Sequence, residues 1–233
     1  MKLSVVIPCY NESKNIPLIL DSLKNIIDGQ EIEVILVNNG STDDTNSIIE
    51  SVKSNYTFLK IINIKINLGY GYGIVSGLKS AKGDFIGYTH ADLQTDPADI
   101  IRAYKLIKEN NFYKNIYIKG DRKGRSFTDQ FFTIGMSLFE SLYLGKILWD
   151  INAQPNFFHR TFFDSVKNNC PNDFSLDLYL LYKAKIAGLN LIRFNVLFPK
   201  RIYGKSSWNT GILSKWKFIK RTIIFSRKLK KTL

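Results

Sequence analysis

The sequence predicts an α/β fold: a mostly parallel open sheet flanked by helices, closed by a basic C-terminal amphipathic helix. Three observations carry that expectation. Short runs rich in Val, Ile and Leu recur at residues 3–8, 32–37, 59–63 and 84–89. Between them, apolar residues return every three or four positions, which is helical spacing. Strand and helix therefore alternate at the spacing of βαβ units, and such strands are buried on both faces.

Leu3-Ser4-Val5-Val6-Ile7 reads as the first strand and is stopped by Pro8. The helix predicted over residues 12–27 carries Ile16, Ile19, Leu20, Leu23, Ile26 and Ile27 on one stripe. A second strand, residues 32–37, ends at Asn38-Asn39-Gly40-Ser41, and Thr42-Asp43-Asp44-Thr45 then supplies capping and acidic first-turn residues ahead of Ile48, Ile49 and Val52. The third strand, residues 59–63, precedes the glycine-bearing stretch 67–73 and a helix running through Leu78. Gly69, Gly71 and Gly73 have neither Walker A nor dinucleotide-fingerprint spacing, so their expected role is close backbone packing beside the first ligand loop. A fourth strand, residues 84–89, leads through His90-Ala91-Asp92-Leu93-Gln94 to a helix from near Ala98, just after Pro97. Further on, residues 171–177 open a helix with Leu178, Leu181, Tyr182 and Ile186 on one face.

A chain of 233 residues, 45% hydrophobic and 23% charged, can bury the core of one domain, with or without an appendage. No run approaches the roughly 20 apolar residues of a spanning helix, and neither such a helix nor a signal peptide is expected. Cys9 and Cys170 lie far apart and read as structural thiols of a reducing, cytoplasmic compartment. The net charge of +13 is unevenly spread: residues 1–177 sum to −1, whereas residues 178–233 hold 14 Lys and Arg and no acid. Such a tail suits nucleic acid, anionic lipid or a phosphorylated substrate. No helix-turn-helix, zinc or single-strand-binding pattern accompanies it, so nucleic acid is not an expected partner.

In an open α/β sheet, ligands sit at the carboxyl ends of the strands. The loops to inspect are therefore residues 8–12, 38–41 and 90–94. Their aromatic, amide and carboxylate groups can grip a base and ribose, and they equally suit ordinary turns. Asp92 and Gln94 are two residues apart, so an extended segment would present both on one side as hard oxygen ligands for Mg2+ or Mn2+ on a diphosphate. The alternative is a turn in which Asp92 caps the next helix. His90 is either a further ligand or a neutral neighbour. Asp177, near a predicted helix N-terminus that favours its charged form, can cap the helix, serve as a general base or position an acceptor phosphate. Arg201 and Lys205 lie in a cationic loop suited to phosphate. Residues 126–149 are apolar enough to cover an acyl chain or to form a core helix packed on the sheet. Residues 212–227 mix aromatic and aliphatic residues with cations, as an interfacial helix on anionic lipid does, or as a helix packed on its own domain.

Taken in order, these loops resemble the inverting family 2 glycosyltransferases of GT-A fold, in particular the polyprenyl-phosphate branch similar to dolichol-phosphate-mannose synthases. The resemblance covers residues 2–209 and rests on residues 3–12, 37–43, 67–69 with 77–78, and 90–97. It implies that Pro8, Tyr10, Asn11, Glu12, Asn39 and Ala91 bind a UDP- or GDP-linked sugar, and that Asp92 and Gln94 hold Mg2+ or Mn2+. It further implies that Asp177 and Asp92 carry the catalysis, while Arg122, Arg125, Arg201 and Lys205 face donor and acceptor phosphates. Two departures stand out. Asn38 and Asn39 replace the family's usual aspartates, bringing a donor that Asp lacks, and His90 replaces the first acid of the metal motif. The implied activity is metal-dependent, inverting transfer of a sugar to a polyprenyl phosphate. The alternatives are transfer to a saccharide hydroxyl in cell-surface glycan synthesis, and a donor-binding pseudoenzyme. With a lipid phosphate, already anionic, Asp177 would orient; with a hydroxyl it would take the proton. Residues 1–209 would form the transferase domain, and 210–233 a basic segment holding it to the cytoplasmic face of a membrane.

Overall fold

Each of the four apolar runs forms a strand, because alternate Val, Ile and Leu residues find a packed layer on either side of the sheet. The computed structural model describes residues 2–199, 201 and 212–231. Its strands are β1 (Leu3–Cys9), β2 (Ile32–Asn39), β3 (Leu59–Ile64), β4 (Phe85–Tyr88), β5 (Ile116–Lys123), β6 (Asn156–His159) and β7 (Asn190–Leu197). They make one seven-stranded sheet in the order β3-β2-β1-β4-β6-β5-β7. Strand β6 runs antiparallel to β4 and β5, and every other pairing is parallel. The helices are α1 (Asn15–Ile27), α2 (Thr45–Val52), α3 (Tyr70–Ser80), α4 (Ala98–Glu109), α5 (Phe127–Leu144), α6 (Arg160–Val166), α7 (Ser175–Ile186) and α8 (Ile212–Lys231).

Along β1 the side chains divide between two cores. Val6 joins Ile74 and Leu78 of α3 and Leu181 of α7, whereas Val5 and Ile7 join Ile16 and Leu20 of α1 and Ile100 and Ile107 of α4. Each fully buried aliphatic side chain contributes roughly 1.5–3 kcal/mol of transfer free energy, so this double cover fixes the direction of β1. Helix α1 begins at Asn15 rather than Glu12, because the Asn15 and Ile16 amides both donate to the Glu12 carbonyl and close a turn there. At α2, Asp43 rather than Asp44 accepts the Thr45 amide, at 3.0 Å. Both cysteines are free.

The C-terminal third departs furthest from expectation. Helix α5 is not a core helix: Phe127, Leu142 and nearby Ile147 are 84%, 75% and 80% exposed. Helix α8 packs on α5 and α7, with Thr222, Ser226 and Leu229 buried, so the packed alternative for the basic tail is the one realised on that side. No described helix is long and apolar enough to cross a membrane.

Between α5 and α8 lies Glu140, fully buried, with one oxygen accepting from Ser226 Oγ at 2.6 Å and the other without a hydrogen-bond partner. Burial raises its carboxyl to about 7. A carboxyl raised on folding stabilises the fold fully below its unfolded value, and that contribution is lost as the pH rises through 7. Melting curves of wild type and Glu140→Gln should therefore diverge between pH 5 and pH 8, the variant gaining on wild type with increasing pH. The expected gap is a few degrees in Tm, about what 1 kcal/mol produces in a chain of this size. Parallel curves across that range would show that Glu140 does not ionise on this interface.

Candidate functional site

The strand order reverses at β1, with β2 on one side and β4 on the other, and ligands of open α/β sheets bind at such a switch point. The carboxyl end of β1 supplies Pro8 to Glu12, that of β2 Asn38 to Ser41, and that of β4 Thr89 to Gln94. Asn11, at φ 57°, ties the first two loops together. Its amide N–H donates to Ser41 Oγ at 3.0 Å, and its side-chain oxygen accepts the Thr42 amide at 2.8 Å. Asn39 is buried and donates from Nδ2 to the Gly69 carbonyl at 3.0 Å and to Asn67 Oδ1 at 3.4 Å. Asn38 donates to Asn46 Oδ1 at 3.1 Å and accepts the Ser41 amide at 3.2 Å. Both asparagines thus use the donor that an aspartate would lack. Tyr10 presents a 37% exposed ring at the rim.

Residues 89–94 are not extended. Leu93 adopts φ 56°, and the Gln94 amide turns back onto Asp92 Oδ1 at 3.0 Å. The neighbouring helix is capped instead by Asp96, which accepts the Ala98 amide at 2.8 Å. The turn still brings Asp92 and Gln94 together, by a different route from the one the sequence suggested. Asp92 Oδ2 lies 2.7 Å from an Arg201 guanidinium nitrogen, and Gln94 Oε1 accepts from Arg201 Nε at 3.1 Å. Glu12 Oε1 stands 3.6 Å from the same guanidinium. Burial is the largest influence on Glu12 and raises its carboxyl to about 7.

Two oxygens that converge on one cation are the donor set of a Mg2+ or Mn2+ site completed by substrate phosphates. Among the described residues no three His, Cys, Asp or Glu side chains cluster as a metal site, and Asp92 and Gln94 are the pair that could offer such oxygens. His90 is kept neutral by burial; its Nε2 has no hydrogen-bond partner, and its ring meets Phe198 edge-on at 5.9 Å. The oxygens of Asp92 and Gln94 fit a divalent cation.

Beneath this lies a buried polar floor. Asp177 is only 2% exposed, and its oxygens accept from Tyr88 at 2.6 Å and from Tyr70 at 3.1 Å. Its position in the first turn of α7 does not decide its ionisation: burial dominates and raises the carboxyl. Nor does it cap the helix, since Asp173 takes the Ser175 amide at 2.8 Å. The glycine stretch packs against residues 171–173 and Asn39 rather than the first loop. A Cβ at Gly69 or Gly71 would run into the Asn172 or Pro171 carbonyl. Sequence reasoning missed Lys119, whose Nζ donates to the Ile151 and Ala153 carbonyls and Asn156 Oδ1 at 2.7–2.8 Å. A lysine in the middle of an apolar strand run was the available signal. It also missed Asp150, which nothing local marks.

Arg122 is held by Asp150, whose Oδ1 accepts from Nε at 3.0 Å and whose Oδ2 accepts the Arg122 amide at 3.0 Å. Arg125 donates to Thr133 Oγ1 at 2.5 Å. Both guanidinium groups lie over the Phe198 ring, at 5.4 and 5.9 Å. Lys205 lies outside the described residues.

The comparison with known sequences gives the family. Residues 4–168 match Glycosyl transferase family 2, and the chain belongs to that family. Over 124 residues it is 31% identical to the dolichol-phosphate mannosyltransferase of Pyrococcus furiosus, covering 52% of this chain and 35% of that protein. It is 37% identical over 114 residues to an undecaprenyl-phosphate 4-deoxy-4-formamido-L-arabinose transferase of Proteus mirabilis, covering 46% and 34%. The chain thus spans about a third of the length of these relatives. Among solved structures, glucosyl-3-phosphoglycerate synthase of Mycobacterium tuberculosis, in complex with Mn2+, UDP and glucosyl-3-phosphoglycerate, superposes with a TM-score of 0.71 at 18% identity. That match covers 97% of this chain and 78% of the other. S. aureus TarS gives 0.60 at 22% identity, covering 86% and 59%. The GT-A fold expected from the resemblance is the fold observed.

Asn39→Asp would set a carboxylate against the Gly69 and Asn67 oxygens with no donor to offer. The expected cost is roughly 1–3 kcal/mol of stability, read as a lowered denaturation midpoint. An unchanged midpoint would mean the asparagine is not bracing the second loop.

Proposed function

We propose that this chain is an inverting glycosyltransferase that moves a sugar from a UDP- or GDP-linked donor to a polyprenyl phosphate. The observation that carries the reading is a cavity of about 110 Å3 between α5, α7 and α8. Arg122 and Arg125 stand at its polar side, and Met136, Leu178, Phe174 and Phe218 line its apolar side. Cations beside an apolar cleft suit an acceptor that is part phosphate and part hydrocarbon. Phe198, under both guanidinium groups and against His90, joins this cleft to the Asp92 turn.

The enclosure of Asp177 supports the same acceptor class. With both oxygens already accepting from tyrosines, it is poorly placed to deprotonate a hydroxyl, and a phosphate oxygen requires no base. Asp177 then positions the floor of the site through Tyr70 and Tyr88. Pro8, Tyr10, Glu12 and Ala91 form the donor wall, which Asn11 and Asn39 hold in register. Asp92 and Gln94 would hold a divalent cation, which would supply positive charge to the departing nucleoside diphosphate. Arg125 and Arg122 orient the acceptor so that its oxygen reaches the anomeric carbon opposite the leaving group.

The membrane supplies such an acceptor, and α5 is the surface that would meet it. Phe127, Phe131, Leu138 and Leu142 are 84%, 67%, 59% and 75% exposed along one helix, beside an acid-free α8. Anionic lipid attracts nearby cations at about 1 kcal/mol each.

Purified chain with Mn2+ or Mg2+, UDP- and GDP-sugars and undecaprenyl or dolichyl phosphate should give an organic-extractable glycolipid. Asp92→Ala should lower turnover by about a hundredfold or more. Arg125→Ala should raise KM for the lipid phosphate more than it lowers kcat. A water-soluble glycoside in place of the lipid product would reassign the acceptor, and absence of both products and of nucleoside diphosphate release would refute the enzyme reading. Independently, the chain should float with anionic vesicles at low salt, and Phe131→Glu with Leu142→Glu should abolish flotation while the melt is retained. Flotation unaffected by the pair would remove α5 from the membrane contact.

A further inference from the structure

The guanidinium of Arg201 takes up the oxygens assigned to the metal. Asp92 Oδ2 is 2.7 Å from one terminal nitrogen, Gln94 Oε1 is 3.1 Å from Nε, and Glu12 Oε1 is 3.6 Å from the other terminal nitrogen. The hold is two-sided, because Gln94 Nε2 also donates to the Pro199 carbonyl at 2.9 Å. One glutamine side chain thus clamps the stretch after β7 by its backbone and by its cation. Asp92 is 4% exposed, and its other oxygen is already engaged by the Gln94 amide at 3.0 Å. Oδ2 is the oxygen it has to offer, and Arg201 holds it.

A divalent cation binds carboxylate oxygen at about 2.0–2.2 Å. It cannot share Asp92 Oδ2 and Gln94 Oε1 with a guanidinium at hydrogen-bond distance, both for space and for like charge. We propose that Arg201 is an internal counter-cation of the metal site, competing with the divalent ion for Asp92 and Gln94 and released when the ion enters. The proposal rests on the reading of those two residues as metal ligands. It adds that Arg201 sets the apparent metal affinity, which equals the intrinsic affinity reduced by the fraction of molecules in which Arg201 has let go. It also adds a link to the nucleotide. A released arginine beside a diphosphate gains a bidentate anionic partner, so UDP should ease its release and strengthen metal binding more in wild type than in a chain lacking Arg201.

The test is Mn2+ binding to the full chain without donor or acceptor, followed by the electron paramagnetic resonance signal of free Mn2+, with a melting curve for each variant. Arg201→Ala should bind Mn2+ about three- to tenfold more tightly than wild type, with Arg201→Lys in between. Arg125→Ala, which removes one positive charge that does not touch Asp92, should change Mn2+ affinity by less than about twofold if contact rather than net charge is responsible. Adding UDP should narrow the gap between wild type and Arg201→Ala. Equal or weaker Mn2+ binding by Arg201→Ala, while Asp92→Asn still weakens binding in that background, would overturn the counter-cation and leave the metal site standing. Loss of all Asp92→Asn effect in the Arg201→Ala background would remove the metal site itself and the proposal with it.

Discussion

The parallel pairing of β1 with β4, from Leu3 opposite Phe85 to Val6 opposite Tyr88, is the constraint on which the site depends. It continues past the strand in the Thr89 amide, which donates to the Val6 carbonyl at 3.0 Å. The chain first winds outward from β1 to β2 and β3, then returns to the other flank of β1, so two loops distant in sequence open side by side. Glu12 and Asp92 reach one guanidinium only because of that return. Gly87 serves the same geometry from the opposite side: a Cβ there would run into the Asn156 carbonyl, so the close approach of β6 requires glycine. That approach brings Asn156, and through it Lys119, beneath the crevice.

The floor so formed carries ionisable groups where a purely apolar core would be cheaper to make. Burial pulls Lys119 down to about 7, yet its nitrogen faces three oxygen acceptors at 2.7–2.8 Å, which is full use of an ammonium and one acceptor more than a neutral amine can serve. The nearby Asp177 carboxylate favours the charged lysine as well. Buried ionisable groups whose hydrogen bonds are made in this way contribute little net stability. What they supply is definition. Tyr70, bonded to Asp177, stacks on Phe174 at 4.5 Å, and Phe174 lines the apolar cleft. The centre of the sheet and the cleft are thereby held in one arrangement.

Legibility followed from how local each cause was. Strands β1, β2 and β4 were readable because both faces are buried, so composition alone marks them; β3, half-buried at the sheet edge, keeps the same apolar run, and the loops after these strands carry polar residues in short, ordered sets. Strands β5 to β7 were not: Lys119 breaks the apolar pattern of β5, and β6 is four residues long with Asn156 and His159 at its ends. Helix α5 has the apolar content of a core helix, and sequence cannot say which surface its neighbours cover. Asp177 shows the same limit. Its place in a helix first turn is a local fact favouring charge, whereas its burial is imposed by the surrounding elements and raises the carboxyl despite the hydrogen bonds that Tyr88 and Tyr70 donate to it. Asp92 and Gln94 do come together, but on a turn rather than an extended segment, because nothing local announced a left-handed leucine at 93.

The uneven charge of the chain acquires a structural meaning in this light. Residues 178–233 contain no acid, so every ion pair their cations make must reach back to an acid in the first 177 residues. Arg201 does so at Asp92 and Glu12, and Arg221 at Asp173, 3.7 Å away. Ser226, on the same helix as Arg221, donates to Glu140 of α5. The basic stretch is therefore tied to the rest of the chain at the Asp92 turn, at the entrance of α7 and along α5. A compositional break that resembles an appendage from sequence is, in three dimensions, a distribution of countercharges. The cations left over on α8, Lys217, Lys220, Arg227 and Lys228, are exposed. They stand on the helix packed against α5, whose outer face is apolar. An apolar helix face beside exposed cations is the observation behind the proposed contact with an anionic lipid layer, in which countercharge would come from outside the protein as Asp92 supplies it to Arg201 from within.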